Sequence, residues 1–185
     1  WNIISENEFF AGGFIWSGVD YLGEAGWPSK GWPNGLFDIC MNEKPRAAFL
    51  RAMWKDEPMV RIAVVDQSLD IDHGRDLWQW PRMAARWNFP WQYEGLVMEV
   101  RTITNCERIR LYCNGKQMGE QETAKFPNHT IVWNIPYTPG TIEAVGYNGD
   151  KQMARYKLTT SGNTSKANVS ADRTTIKADG QDVSF

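Results

Sequence analysis

The fold is decided by residues 96–118, which read Leu96-Val97-Met98-Glu99-Val100-Arg101-Thr102-Ile103-Thr104, then Asn105-Cys106-Glu107-Arg108, then Ile109-Arg110-Leu111-Tyr112-Cys113-Asn114-Gly115-Lys116-Gln117-Met118. Apolar and polar residues alternate in the first part of this stretch, which is the pattern of a strand with one buried face. The dipeptide Asn114-Gly115 predicts a tight hairpin, because a type I′ turn needs a positive φ at both central residues. The stretch therefore predicts a long strand followed by a β-hairpin.

The alternating pattern continues over most of residues 58–160. Further strands are predicted at residues 60–64, 130–135, 141–147 and 152–159, the last two around a turn at 148–150. About seven short strands separated by turns at this spacing are typical of an immunoglobulin-like β-sandwich. The stretch 76–93 interrupts them and is predicted to be a long tryptophan-rich loop with a short helical turn at 81–87.

Residues 1–57 carry a different pattern, in which a strand, a long loop and a helix follow each other. The apolar run at residues 9–16 predicts a strand buried on both faces. Residues 17–43 hold seven glycines or prolines and predict a long irregular loop. Residues 44–54 predict a helix with Pro45 in its first turn. One βα unit cannot bury its own strand, so we expect it to belong to a larger α/β body.

These patterns divide the chain into three expected segments. Residues 1–57 form the βα unit, residues 58–162 the sandwich, and residues 163–185 a linker followed by the first strand of a further domain. The predicted fold class is therefore mainly β. The chain starts at Trp1 inside patterned sequence and shows no targeting segment, which suggests a piece of a longer protein.

Composition narrows the classes of function. The formal net charge of −2 and the lack of a long basic run argue against nucleic acid as a partner. No apolar run approaches the roughly 18 residues of a membrane span. The cysteines match no common zinc spacing, and we expect buried, reduced thiols, with a pairing of Cys106 and Cys113 left open. We predict neither a cofactor nor a metal, although His73 lies beside Asp70 and Asp72.

Tryptophan is unusually frequent, with 10 among 185 residues. Large rings mostly fill cores and interfaces, but aromatic faces also serve as platforms for sugar rings. Two interpretations remain open for one group of these residues, namely packing against a neighbouring domain or a carbohydrate-binding platform. The group consists of Trp78, Trp80, Trp87 and Trp91.

Residues 9–24 read Phe-Phe-Ala-Gly-Gly-Phe-Ile-Trp-Ser-Gly-Val-Asp-Tyr-Leu-Gly-Glu. They resemble the last barrel strand and the following loop of family 2 glycoside hydrolases, of the bacterial β-galactosidase type. The similarity continues through Trp27-Pro28, Gly35, Asp38 and Lys44-Pro45, and more weakly through the Asn114-Gly115-Lys116 hairpin and Pro139-Gly140. Residues 178–182 resemble the opening strand of the next immunoglobulin-like domain. Together these matches extend over nearly the whole chain.

This resemblance implies that residues 1–57 are the end of a (β/α)8 barrel, with the active site at the C-terminal ends of its strands. It also implies a retaining mechanism, which needs a nucleophilic carboxylate and a carboxylic acid about 5–5.5 Å apart. In the family these are glutamates on the fourth and seventh strands, upstream of Trp1. We therefore predict no catalytic residue in this chain.

The resemblance places three substrate-binding residues here. Trp16 lies at the end of the eighth strand and forms part of the floor or wall of the sugar subsite, while Asp20 and Glu24 follow at the barrel mouth. An indole offers an apolar face and one N–H donor, and a carboxylate accepts two hydroxyl donors. Trp27 and Trp32 are candidates for an outer subsite.

Each assignment has a structural alternative. Trp16 can be a barrel-core residue, and Asp20 can cap the backbone of its own loop. Glu24 can pair with Lys30 or Arg46, and Tyr21 is expected to be structural.

The predicted function is that of a piece of a retaining exo-β-glycosidase, a β-galactosidase acting on terminal β-galactosides, inactive when isolated. The alternative is a non-catalytic carbohydrate-binding or structural sandwich. The expected partner is a glycan, not nucleic acid or a membrane, and a periplasmic or extracellular bacterial location is favoured. Galactosidase, glucuronidase and mannosidase branches remain open, as does the oligomeric state.

Overall fold

A computed structural model describes residues 2–28, 30–65, 82–162, 166 and 168–182. Two α-helices are present in this part of the chain, α1 (Asn2–Ser5) and α2 (Pro45–Trp54). The strands are β1 (Tyr21–Leu22), β2 (Gly31–Trp32), β3 (Val60–Val65), β4 (Met83–Ala84), β5 (Val97–Thr104), β6 (Arg108–Cys113), β7 (Lys116–Glu122), β8 (Thr130–Pro136), β9 (Thr141–Asn148) and β10 (Lys151–Thr159). No helix among the described residues is long and apolar enough to cross a membrane.

Strands β3 to β10 form two four-stranded antiparallel sheets, in the orders β4-β3-β5-β8 and β7-β6-β9-β10. The chain passes from one sheet to the other between β5 and β6, between β7 and β8, and between β8 and β9. This alternation between sheets is characteristic of immunoglobulin-like sandwiches. The predicted mainly β fold is confirmed.

The sandwich core follows from the period of two along each strand. Alternate residues of β6 and of β8 are buried and point between the sheets. The indole N–H of Trp133 is satisfied there, because it donates to Thr102 Oγ1 at 2.9 Å. Burying a side chain such as Leu111 contributes about 1.5–3 kcal/mol. At the predicted hairpin, Asn114 has φ 50° and Gly115 has φ 79°, as the turn chemistry requires.

The tryptophan-rich loop contributes to the sandwich interior. Trp87 is 1% exposed and donates its N–H to the carbonyl of Thr138 at 3.0 Å. Its ring packs against Phe89 and Tyr137. Trp87 thus belongs to the core of the sandwich itself, and not to an interface with a barrel or to an exposed platform.

The predicted helical turn at 81–87 is wrong for residues 82–87. Met83–Ala84 forms strand β4, because its backbone groups pair with Val64 and Val65 at the edge of β3. The positions Asp70, Asp72, His73, Trp78 and Trp80 lie outside the described residues.

The predicted strand at residues 9–16 is not formed: residues 10–15 have no regular structure, and Phe14 and Ile15 are exposed. A strand buried on both faces needs neighbours on both edges to satisfy its N–H and C=O groups, and no described residue pairs with this segment. Residues 168–182 likewise contain no strand. The barrel and further-domain assignments stay predictions.

Helix α2, predicted at 44–54, docks on the outer face of the β4-β3-β5-β8 sheet. Ala48 and Ala52 pack with Met59 and Ile103 in a second, smaller cluster. The Asn105 side chain completes the junction: it donates to the carbonyls of residues 55 and 57 at 2.7 and 2.9 Å and accepts from the residue 59 N–H at 2.8 Å. The loop-helix unit and the sandwich are therefore one packed body.

The three cysteines are free thiols. Cys106 and Cys113 are buried, as predicted, and burial raises the pKa of both. The expectation of burial is wrong for Cys40, which is exposed in the loop before α2.

Candidate functional site

The loop that follows Trp16 is ordered by its own backbone. Phe37 bridges Val19 in parallel, and its N–H donates to the carbonyl of Gly18 at 3.0 Å. The N–H of Asp20 in turn donates to the carbonyl of Phe37 at 2.9 Å. The short hairpin of β1 and β2 then pairs Tyr21 with residue 32. A segment with few apolar residues in periodic order is thus held in one conformation by backbone hydrogen bonds.

Asp20 is the polar centre of this loop. Lys44 Nζ lies 2.5 Å from its Oδ2 and 2.6 Å from its Oδ1, and the N–H of Gly35 donates to Oδ1 at 2.7 Å. The Asp20 side chain is 14% exposed. The structure therefore places this carboxylate among partners from its own loop and from the start of α2, while a contact with sugar stays a prediction.

Gly35 allows the close approach that this arrangement needs. A Cβ at this position would lie 2.3 Å from the backbone N of Asp20 and 2.4 Å from the carbonyl carbon of Val19. Both atoms belong to the backbone and cannot rotate away. Only glycine lets the two segments of the loop meet here.

Trp16, Tyr21 and Glu24 form a contiguous row, called here the Trp16 row. Trp16 is 66% exposed, and its ring meets that of Tyr21 edge to face with centroids 6.3 Å apart. The Tyr21 hydroxyl donates to Glu24 Oε2 at 2.5 Å. This hydrogen bond to a carboxylate is the main reason why the pKa of Tyr21 is raised above its ordinary value.

The Trp16 row combines two kinds of side chain that suit a sugar. An exposed indole presents an apolar face to the C–H groups of a pyranose, and a carboxylate accepts hydrogen bonds from its hydroxyls. Tyr21 joins the two, a role that sequence reasoning missed because residues five apart in an irregular loop carry no periodic signal. The structure shows Tyr21 as a hydrogen-bond partner of Glu24, and the contact of Glu24 with sugar stays a prediction.

Two other features of the loop bear on earlier expectations. Trp27, a candidate for an outer subsite, is almost fully exposed. Asp38 accepts hydrogen bonds from the side chain and backbone of Asn42 and from the N–H of Cys40, and these bonds lower its pKa. Asp38 therefore shapes the turn before α2. The described residues contain no group of three or more histidines, cysteines or carboxylates that could hold a metal ion.

Comparison with known proteins gives similarity over the whole chain. Residues 95–154 match a family model described as a domain of unknown function, DUF4982. The structure is similar to that of a glycosyl hydrolase family 2 member from Bacteroides cellulosilyticus, with a TM-score of 0.79 and 32% identity, covering 100% of this chain and 26% of that chain.

Two curated bacterial proteins are also similar. The beta-galactosidase BoGH2A of Bacteroides ovatus is 23% identical over 186 residues, which are 99% of this chain and 19% of that protein. A Formosa agariphila protein that is provisionally named a beta-glucuronidase is 28% identical over 176 residues, which are 92% of this chain and 15% of that protein. The chain thus spans less than a fifth of the length of either relative.

Proposed function

We propose that this chain, which belongs to glycoside hydrolase family 2, supplies one wall of the sugar site of a retaining exo-β-glycosidase and the sandwich that supports that wall. The observation that carries the proposal is the Trp16 row, in which an exposed indole, a tyrosine and a carboxylate lie together. The similarity of the whole chain to a family 2 member supports it.

The chemistry of the proposed reaction takes place on carboxylates outside this chain. One carboxylate attacks the anomeric carbon while a carboxylic acid protonates the departing oxygen, and water then displaces the sugar from the enzyme. Asp20 does not fit either role, because its two oxygens are bound by Lys44 and Gly35. The part played by this chain is to bind and orient the terminal sugar.

Within that part, the members of the Trp16 row have separate roles. The indole of Trp16 covers the apolar face of the ring and excludes water from it. Glu24, held through one oxygen by Tyr21, accepts a hydrogen bond from a sugar hydroxyl. An acidic group on this wall favours a neutral sugar, since a uronic acid would bring a second carboxylate close to the first.

We therefore propose a terminal β-galactoside as the substrate. The beta-galactosidase from Bacteroides ovatus supports this choice, and the Formosa agariphila relative makes a β-glucuronide the necessary comparison. A periplasmic or extracellular location in a bacterium belongs to the same proposal, and fractionation of the source cells tests it.

The test is hydrolysis of chromogenic β-galactosides, β-glucuronides and β-mannosides by the full-length enzyme and by this chain alone. We expect the full-length enzyme to prefer the β-galactoside and to release the β-anomer first. This chain alone is expected to show no turnover. Turnover by the isolated chain would contradict the placement of the catalytic carboxylates, and preference for another glycoside would correct the sugar.

A second candidate function rests on Trp91, which is 79% exposed and precedes the exposed residues Leu96 and Val97 by five and six positions in the sequence. An exposed indole offers an apolar face on which a sugar ring can stack. Calorimetric titration of the chain with galactosides tests it. Binding that is lost in Trp91→Ala and retained in Trp16→Ala would favour a binding module over a substrate wall.

A further inference from the structure

We propose that Lys44 is a positioning residue that holds Asp20, and through it the Trp16 row, in the arrangement that binds sugar. This inference rests on the proposed function. It assigns Asp20 a role within the loop in place of a direct contact with the substrate.

The contacts around Lys44 are those of an anchor. Its ammonium group contacts both carboxylate oxygens of Asp20 and also donates to the carbonyl of Pro33 at 2.8 Å. The side chains of Lys44 and Asp20 are 24% and 14% exposed. In such a partly desolvated pair, loss of one partner leaves the other charge without compensation, so the pair holds its geometry more firmly than a surface ion pair does.

Asp20 is well placed to transmit this anchoring. Asp20 lies four residues after Trp16 and four residues before Glu24. The position of its backbone therefore affects the positions of both side chains. Its backbone is fixed by Phe37 and its carboxylate by Gly35. The carboxylate contacts and this backbone hydrogen bond together fix Asp20. We expect loss of the carboxylate contacts to let the loop backbone shift, and the indole of Trp16 and the carboxylate of Glu24 to shift with it.

Lys44 is itself rigidly held. It precedes the first residue of α2, and α2 is packed through Ala48 and Ala52 against the sandwich. The neighbouring residue Glu43 pairs with Arg61 on β3. Lys44 thus connects the loop that carries the Trp16 row to the β-sandwich. Through this connection the sandwich supports the proposed sugar wall.

The alternative is that Asp20 binds a sugar hydroxyl directly. Both of its oxygens already contact the ammonium group of Lys44, and Oδ1 also accepts a hydrogen bond from the Gly35 N–H. A sugar contact would have to compete with these partners. The two roles differ in one measurable respect: a direct contact concerns one hydroxyl, whereas a displaced wall weakens recognition of the whole ring.

The experiment measures kcat and KM of the full-length enzyme for a β-galactoside and for its monodeoxy analogues. The variants are Lys44→Met, Lys44→Arg, Asp20→Asn and the double variant, with Lys55→Met as a control. Lys55 is an exposed lysine at the other end of α2, and the control removes a charge from the same helix. Circular dichroism and thermal melting confirm that each variant is folded.

We expect Lys44→Met and Asp20→Asn each to lower kcat/KM by about 100-fold, the effect of misplacing substrate-binding groups by about 1 Å. The kcat/KM of the double variant, which carries Lys44→Met and Asp20→Asn, should lie within about threefold of that of either single variant. The reason is that both substitutions break the same Lys44–Asp20 contact. Lys44→Arg should recover most of the activity, and Lys55→Met should match the wild type. The ratios of activity among the deoxy analogues should stay unchanged in every variant.

The inference is overturned if Asp20→Asn abolishes discrimination at one hydroxyl, or if the losses of the two single variants multiply in the double variant. If Lys44→Met does not fold, Lys44→Gln, which keeps a donor for Pro33 without the charge, takes its place in the same comparison. Absence of wild-type turnover on any β-glycoside would instead overturn the proposed function, and the inference with it.

Discussion

Arg61 on β3 donates from Nε to Glu43 Oε2 at 3.2 Å, which joins the residue before Lys44 to the sandwich. The guanidinium also lies over the ring of Tyr156, 4.9 Å from its centroid. One side chain therefore contacts the loop before α2 and both sheets of the sandwich. The side chains of Arg61 and Glu43 are 27% and 22% exposed, so this ion pair is partly desolvated.

Arg61→Met is expected to lower the free energy of unfolding by about 1–2 kcal/mol, because it removes a charge-assisted hydrogen bond and a cation–π contact. The control is Lys125→Met, which breaks an ion pair with Glu122 that is exposed on both sides and should cost at most about 1 kcal/mol. Urea denaturation of the chain measures both. Equal losses in the two variants would show that Arg61 is no more than a surface residue.

Trp87 provides a prediction about the core. Its buried ring contacts Phe89 and Tyr137, and its N–H is hydrogen-bonded. Trp87→Ala is therefore expected to destabilise the sandwich by about 3–5 kcal/mol, the cost of truncating a large core aromatic. Trp91→Ala, four residues along the same loop, should change stability by no more than about 0.5 kcal/mol because Trp91 is exposed. A small loss for Trp87→Ala in urea denaturation would contradict its placement.

The contrast between Trp87 and Trp91 marks the limit of sequence reasoning in this protein. The strands of the sandwich were predictable because alternation and the Asn114-Gly115 turn are local signals that agree with the packing. In the tryptophan-rich loop there is no period, so nothing in the order of residues tells a buried ring from an exposed one. Only the packing between the two sheets decides it.

The same reasoning applies to the candidate site. The Trp16 row follows a recognisable apolar run, but the partner of Asp20 is 24 residues away in sequence, beyond an irregular loop. Pairing over such a distance depends on the path of the loop, which Gly35 permits by its lack of a side chain. The run at residues 9–16 has the local pattern of a strand but does not form one. A strand also needs neighbouring strands, and none of the described residues supplies them.

Tyr21 gives a prediction about pH. Its pKa is raised because the neutral hydroxyl donates to Glu24. A raised pKa in the folded state means that the stabilisation is present below the unfolded value of about 10 and is lost as the pH rises through the folded value. Ultraviolet titration of phenolate absorbance should therefore show a late-titrating tyrosine component in the wild type that is absent from Tyr21→Phe.

The control for Tyr21 is Glu24→Gln, which keeps an acceptor of similar shape but removes its charge. The late tyrosine should then titrate earlier, because the neutral amide no longer disfavours the phenolate as strongly. A late tyrosine that persists in both variants would have to be a different residue.

Trp16 carries the prediction that separates the two candidate functions. Removing an indole that covers a sugar face forfeits about 1.5–3 kcal/mol of binding, so Trp16→Ala should lower kcat/KM of the full-length enzyme by about 10-fold to 100-fold. Trp16→Phe retains an apolar face and should lose less. Trp91→Ala, which removes an equally large exposed ring from the sandwich, should leave kcat/KM unchanged. A larger loss of kcat/KM for Trp91→Ala than for Trp16→Ala would place sugar recognition on the sandwich and not on the loop, because removal of the ring that contacts the sugar must have the larger effect.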